Sequence, residues 1–131
     1  MVNQNGPLDR SEITVDGKYS FREGRRGDRK ANGWADDDEI PTFVLEYEGK
    51  QMGAAHGSLC FIILIQVFDE NRGQGTKFIE LWEKYATNKG CSELEVSAVG
   101  NEKLQHILEK KRCFSVRKTD EYGEKEYFKK I

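Results

Sequence analysis

Several classes of protein are set aside by what this 131-residue chain lacks. Its three cysteines, Cys60, Cys91 and Cys113, are odd in number, and none sits at Cys-x-x-Cys spacing. Cys60 and Cys113 stand in apolar or strand-like surroundings, so reduced thiols in a core are the expectation. His56 has no second His or Cys nearby at ligand spacing, which reads as a structural or surface histidine and gives no metal site. The longest apolar run, Leu59 to Phe68, is far shorter than the ~20 residues a membrane span needs. The first residues, Met-Val-Asn-Gln-Asn-Gly-Pro, have neither a basic region nor an apolar one ahead of a cleavage site, and a cytoplasmic protein is expected. A net charge of -2 leaves no global electrostatic footprint for nucleic acid or an anionic membrane. There are no internal repeats and no low-complexity segments.

What is present suits one well-solvated domain, with 37% hydrophobic and 34% charged residues. Residues 1–11 read as a flexible N-terminal tail and 12–131 as a single domain. Ile13, Val15, Tyr19 and Phe21 alternate around Asp16-Gly17, a strong hairpin signal. Residues 22–30 are basic with two glycines, followed at once by Asp36-Asp-Asp-Glu39; a solvated loop is expected there, and residues 22–41 carry no helical period. Thr42 to Tyr47 reads as a strand, Glu48-Gly49-Lys50 as a turn and Gln51 to Gly57 as the return. The small residues Gly53, Ala54, Ala55 and Gly57 suggest close approach by another element.

The stretch from Phe61 to Trp82 organises the rest. It starts as an apolar run, passes through Asp69-Glu70-Asn71, meets Gly73 and Gly75, and becomes a helix with Phe78, Leu81, Trp82 and Tyr85 on one face. A strand entering a helix through a glycine-rich loop presents free backbone N–H groups, reinforced by the helix dipole, to an anion and most often to a phosphate. Gly90 is a helix stop. Leu94, Val96 and Ala98 alternate in the next strand. Asn101 is a good N-cap for a helix carrying Leu104, Ile107 and Leu108. Phe114 and Val116 begin another strand, and Lys125 to Ile131 closes a terminal hairpin. The order is α/β with a mixed sheet.

Two phosphate motifs fail at Arg72-Gly-Gln-Gly-Thr-Lys77. A Walker loop needs glycine ahead of the lysine, where Thr76 stands, and a dinucleotide fingerprint needs a third glycine at Phe78. A third pattern, Arg/Gln-x-x-Gly-x-Gly/Ala, fits at its first four positions. With Val67 ahead of it, the small-residue strand before, and the Asn101 helix and the Cys113-Phe114 pair after, residues 42–131 resemble the GNAT superfamily of N-acetyltransferases. The resemblance implies a GNAT-like α/β fold, a mixed β-sheet flanked by helices with a splayed pair of central parallel strands ending near Val67 and Ala98. It implies acetyl-CoA as acyl donor, its pyrophosphate on the loop amides and its pantetheine arm between the splayed strands. Val67, Arg72, Gly73, Gln74, Gly75, Thr76, Lys77 and Asn101 are the cofactor-binding residues that follow. Lys77 replaces the small residue that ends the family's loop, and its ammonium is available to a cofactor phosphate. Counting back from Phe114, Glu109 holds the place where many members carry a tyrosine acid for the departing thiolate. As a catalytic acid it needs a raised pKa. Two functions stand on this basis. One is an acyltransferase moving acetyl from acetyl-CoA to a primary amine by direct attack, with no covalent acyl-enzyme. The other is a catalytically weak module of the same kind that binds a CoA ester or a protein partner. The acceptor is not legible.

Overall fold

The computed structural model describes residues 13–32, 39–68 and 73–131. The expected tail, Asp36 to Asp38, the turn Asp69-Glu70-Asn71 and Arg72 lie outside them. The elements in order are β1 (Ile13–Asp16), β2 (Tyr19–Glu23), β3 (Phe43–Tyr47), β4 (Lys50–Ser58) and β5 (Phe61–Val67), then α1 (Gln74–Asn88) and β6 (Glu93–Val99). They continue as α2 (Glu102–His106), which runs into a π-helical turn (Ile107–Lys111), and end as β7 (Ser115–Thr119) and β8 (Lys125–Lys130).

The strands form one eight-stranded sheet in the order β1-β2-β3-β4-β5-β6-β8-β7. Five of its neighbouring pairs are joined directly in sequence and are antiparallel. The β3–β4 turn shows the local chemistry. Tyr47 pairs with Lys50, so two residues make the connection, and both Glu48 (φ 50°) and Gly49 (φ 81°) take the left-handed conformation that a tight hairpin turn demands.

α1 lays Phe78, Leu81, Trp82 and Tyr85 into the core, all nearly or fully buried. Burial of such side chains stabilises by about 1.5–3 kcal/mol each. Trp82 Nε1 donates to Leu59 O at 2.9 Å, so the indole enters the core without an unpaired donor. Where α1 presses on the sheet, β4 has no room for a side chain. A Cβ on Gly53 would stand 3.0 Å from both the Phe78 ring and Gln66 O. This is the close approach that the small residues of β4 suggested.

His56, three residues beyond Gly53, points to the opposite face by strand alternation. It is buried, and its Nε2 accepts the Ala31 N–H at 3.2 Å. The segment around Ala31 is also tied down by Gln51, which accepts from Arg29 N, and by Gln66, which accepts from Asn32 N. Arg22, expected in a solvated loop, is instead buried within β2. It forks onto both oxygens of Asp28 at 2.8 and 2.9 Å and reaches Glu46 at 3.1 Å. A buried guanidinium needs such partners, and their presence converts a polar loop into a sheet cover.

Two expectations are corrected here. The α/β fold with helices flanking a mixed sheet is not what the chain forms. The molecule is mostly β, and among the described residues only β5 and β6 are parallel neighbours. α1 and the short α2 with its π-helical turn pack against each other, Arg112 Nε meeting Glu83 at 2.9 Å, while a loop covers part of the other face. The reason lies in the first third of the chain, which has strand alternation and buried ion pairs but no helical period. The second correction concerns the cysteines. Cys60 and Cys91 form a disulfide with their Cα atoms 6.0 Å apart, and Cys113 is exposed. No described helix is long and apolar enough to cross a membrane.

Candidate functional site

The parallel ladder between β5 and β6 is short. Phe61 pairs with Glu95 and Ile62 with Val96, and there it stops. Its end has a local cause on β6. The register against β8 shifts between Val96 and Val99, and Ala98 sits at φ 54°, a left-handed non-glycine residue inside a bulge. A bulge bends the strand that carries it, so β6 departs from β5 at that point. On the other side of β5, Phe68 N donates to Met52 O of β4 at 2.8 Å. Strand N–H groups alternate in direction, so those of Val67 and Ile65 face the side where β6 has left.

A cleft opens there, lined by Ile65, Gln66, Val67, Gly73, Gly75, Asn101, Lys103, Leu104 and Ile107. Its walls are the end of β5, the start of α1 and the inward side of α2 with its π-helical turn. α1 starts at Gly73, which takes φ 73° and supplies no side-chain cap, and the first turn of the helix has no acidic residue. Lys77 N bonds Gly73 O at 3.2 Å, so the N–H groups of Gln74, Gly75 and Thr76 are the first-turn donors without a carbonyl partner inside the helix. Lys103 stands on the wall. The floor of the cleft is apolar. The start of a helix beside an apolar floor suits a ligand with an anionic group and an uncharged part.

The expected cofactor residues divide around this cleft. Val67, Gly73, Gly75 and Asn101 line it. Asn101 also caps α2, its Oδ1 accepting from Leu104 N at 2.9 Å. Thr76 sits half-buried in the first turn of α1. Gln74 is buried at the head of α1, outside the cleft lining, and its Oε1 has no hydrogen-bond partner among the described residues. Arg72 lies outside the described residues. Lys77 turns away from the cleft: its ammonium meets Asp16 Oδ2 at 2.6 Å and Glu80 Oε1 at 3.2 Å, and lies 5.7 Å from the centre of the Tyr19 ring. The hydrogen bond to Asp16 raises its pKa, so the charge is kept and used to fasten α1 to β1.

Glu109 lies in the π-helical turn and is not part of the cleft lining. Its carboxylate accepts from the Tyr127 hydroxyl and from Lys125 Nζ, the latter at 3.1 Å. These partners, Tyr127 foremost, hold its pKa below the ordinary carboxylate value, the opposite of the raised pKa an acid needs. Burial and the same hydrogen bond push the Tyr127 phenol well above its usual value.

Ile65, Gln66, Lys103, Leu104 and Ile107 join the site without having been expected there. The helical period of Leu104, Ile107 and Leu108 marked a core face. Leu108 is fully buried, while Leu104 and Ile107 are partly buried and line the cleft. The missing signal is the π-helical turn, which no apolar spacing announces. Comparison with protein-family models and with curated proteins returns no match.

Proposed function

We propose that this chain binds acetyl-CoA in the cleft between β5 and β6 and transfers the acetyl group to a primary amine. The observation that carries the reading is the meeting of a stretch of β5 that has no strand partner on its β6 side, among the described residues, with the N-terminus of α1. The arm of the cofactor takes the place of the missing strand partner, and the N–H groups of Gln74, Gly75 and Thr76 receive its pyrophosphate. The N–H of Val67, or that of Ile65, polarises the thioester carbonyl as charge grows on its oxygen. The reading keeps the cofactor and the reaction that the resemblance to N-acetyltransferases implies, and it drops the architecture. A cytoplasmic setting belongs to the proposal as well.

Gly75 provides the test. A Cβ there would stand 2.8 Å from Ile107 Cδ1 and 3.9 Å from Val67 Cγ2, inside the cleft. Gly75→Val is expected to weaken acetyl-CoA binding by about tenfold or more while the protein stays folded, because it fills space where cofactor and backbone approach. Calorimetry on wild type and variant, with circular dichroism as the control for folding, reads this directly. Equal affinities would remove the loop from the site. Turnover is tested separately with a panel of primary amines. The engagement of Glu109 by Tyr127 and Lys125 favours the second reading, a module that binds a CoA ester or a protein partner with little turnover. Affinity without transfer would select it.

A further inference from the structure

We infer that the Cys60–Cys91 disulfide is a redox latch that sets the opening between β5 and β6. Cys60 is the last residue before β5, and Cys91 stands two residues before β6. The covalent bond therefore joins the two strands at the end where their ladder begins. Beyond it come one hydrogen bond, Glu95 N to Cys60 O at 2.9 Å, and the two registered pairs. Then the strands part. A V-shaped gap is governed by its vertex, and this vertex has few hydrogen bonds of its own; the disulfide and the buried Ile62, Val96 and Trp82 hold it.

Cys60 and Cys91 are partly buried residues packed against the core. A crevice of about 200 Å³ is lined by Glu23, Thr42, Phe43, Leu59, Tyr85 and Lys89, of which Leu59 precedes Cys60 directly and Lys89 stands two residues before Cys91. The reductant is a dithiol. Its thiolate attacks one sulfur to form a mixed disulfide, and its second thiol displaces the protein. Two electrons and two protons pass to Cys60 and Cys91, which become thiols, and the dithiol leaves as a disulfide. In the reduced state β6 swings more freely about the two remaining pairs, and the cleft loses its fixed width. The effect on cofactor affinity rests on the reading of the cleft proposed above; the effect on the strands does not.

The experiment uses the Cys113→Ser protein, which keeps the bond and cannot reshuffle it. Oxidised and dithiothreitol-reduced samples are compared by hydrogen exchange of the segment 91–99 and by calorimetry with acetyl-CoA, with circular dichroism following the fold. The expected result is exchange at Glu95 and Val96 faster by about tenfold or more on reduction, with acetyl-CoA bound at least about threefold more weakly to a protein whose fold is otherwise kept. Identical exchange in the two states would overturn the latch. So would a chain that unfolds throughout on reduction, since the bond would then be a general staple, and so would finding Cys60 and Cys91 as free thiols after exposure to oxidant. If neither state binds acetyl-CoA, the proposed function fails and the exchange measurement alone decides the latch.

Discussion

Counting back from Phe114 puts Glu109 where a proton donor for a leaving thiolate is wanted, and the side chain there is a carboxylate with two donors already on it. What the count cannot show is that Tyr127 and Lys125, from β8, converge on that position. Their hydrogen bonds favour the charged form, so near neutrality Glu109 has no proton to give. The expected kinetic result for Glu109→Gln is a change in kcat of less than about threefold, against the ~10²-fold or more that loss of a general acid brings. The same partners give a stability signature. Because the folded pKa is depressed, the contribution is fully present above the unfolded value of about 4.3 and is lost as pH falls through the lower folded value. Thermal unfolding should therefore find the wild type more stable than Glu109→Gln at pH 7, with the gap closing below about pH 4. A gap that persists in acid would mean that packing, and not charge, is what the glutamate supplies. Lys77 teaches the same lesson. Its place in the glycine loop was legible, but its partner Asp16 is 61 residues away and sits on a strand that no local pattern ties to the loop.

At the scale of elements, the pattern that was readable is the pattern that is local. The period of Phe78, Leu81, Trp82 and Tyr85 is α1, the alternation around Asp16-Gly17 is the β1–β2 hairpin, and Asn101 caps the helix it precedes. The bulge in β6 was not readable, because Leu94, Val96 and Ala98 alternate as an unbroken strand would. Ala98 nevertheless takes a left-handed conformation and ends up exposed. Left-handed geometry costs an ordinary residue roughly 1–2 kcal/mol, and glycine tolerates it, less the entropy glycine loses on folding. Ala98→Gly is accordingly expected to leave stability unchanged or raise it by up to about 1 kcal/mol, an unusual outcome for glycine within a strand. Denaturant titration measures it. A loss of 1 kcal/mol or more would show that the bulge does not depend on this residue's backbone.

Across the whole molecule, cross-connections decide what the local elements become. Helices flanking a mixed sheet were expected, yet the first third of the chain supplies strands and the ion pairs of the buried Arg22 with Asp28 and Glu46, and the sheet grows to eight strands. Cysteine spacing was no guide to pairing, since Cys60 and Cys91 are 31 residues apart and meet only through the crossover of α1. Closing a loop of that length stabilises by about 3–4 kcal/mol on the chain-entropy account. Reduction should therefore lower the melting temperature by roughly 10 °C or more, which scanning calorimetry with and without reductant would show. A shift of a degree or two would place the bond outside the folding energetics. The strand order also bears on kinetics. From β1 to β5 every strand pairs with its neighbour in sequence, and so do β7 and β8; only β5–β6 and β6–β8 require distant segments to find each other. Contacts between near neighbours form fast and long closures form slowly. The N-terminal meander and the C-terminal hairpin are thus expected to assemble early and to dock late, each onto β6, and the seam where the meander meets β6 is the line along which the cleft opens.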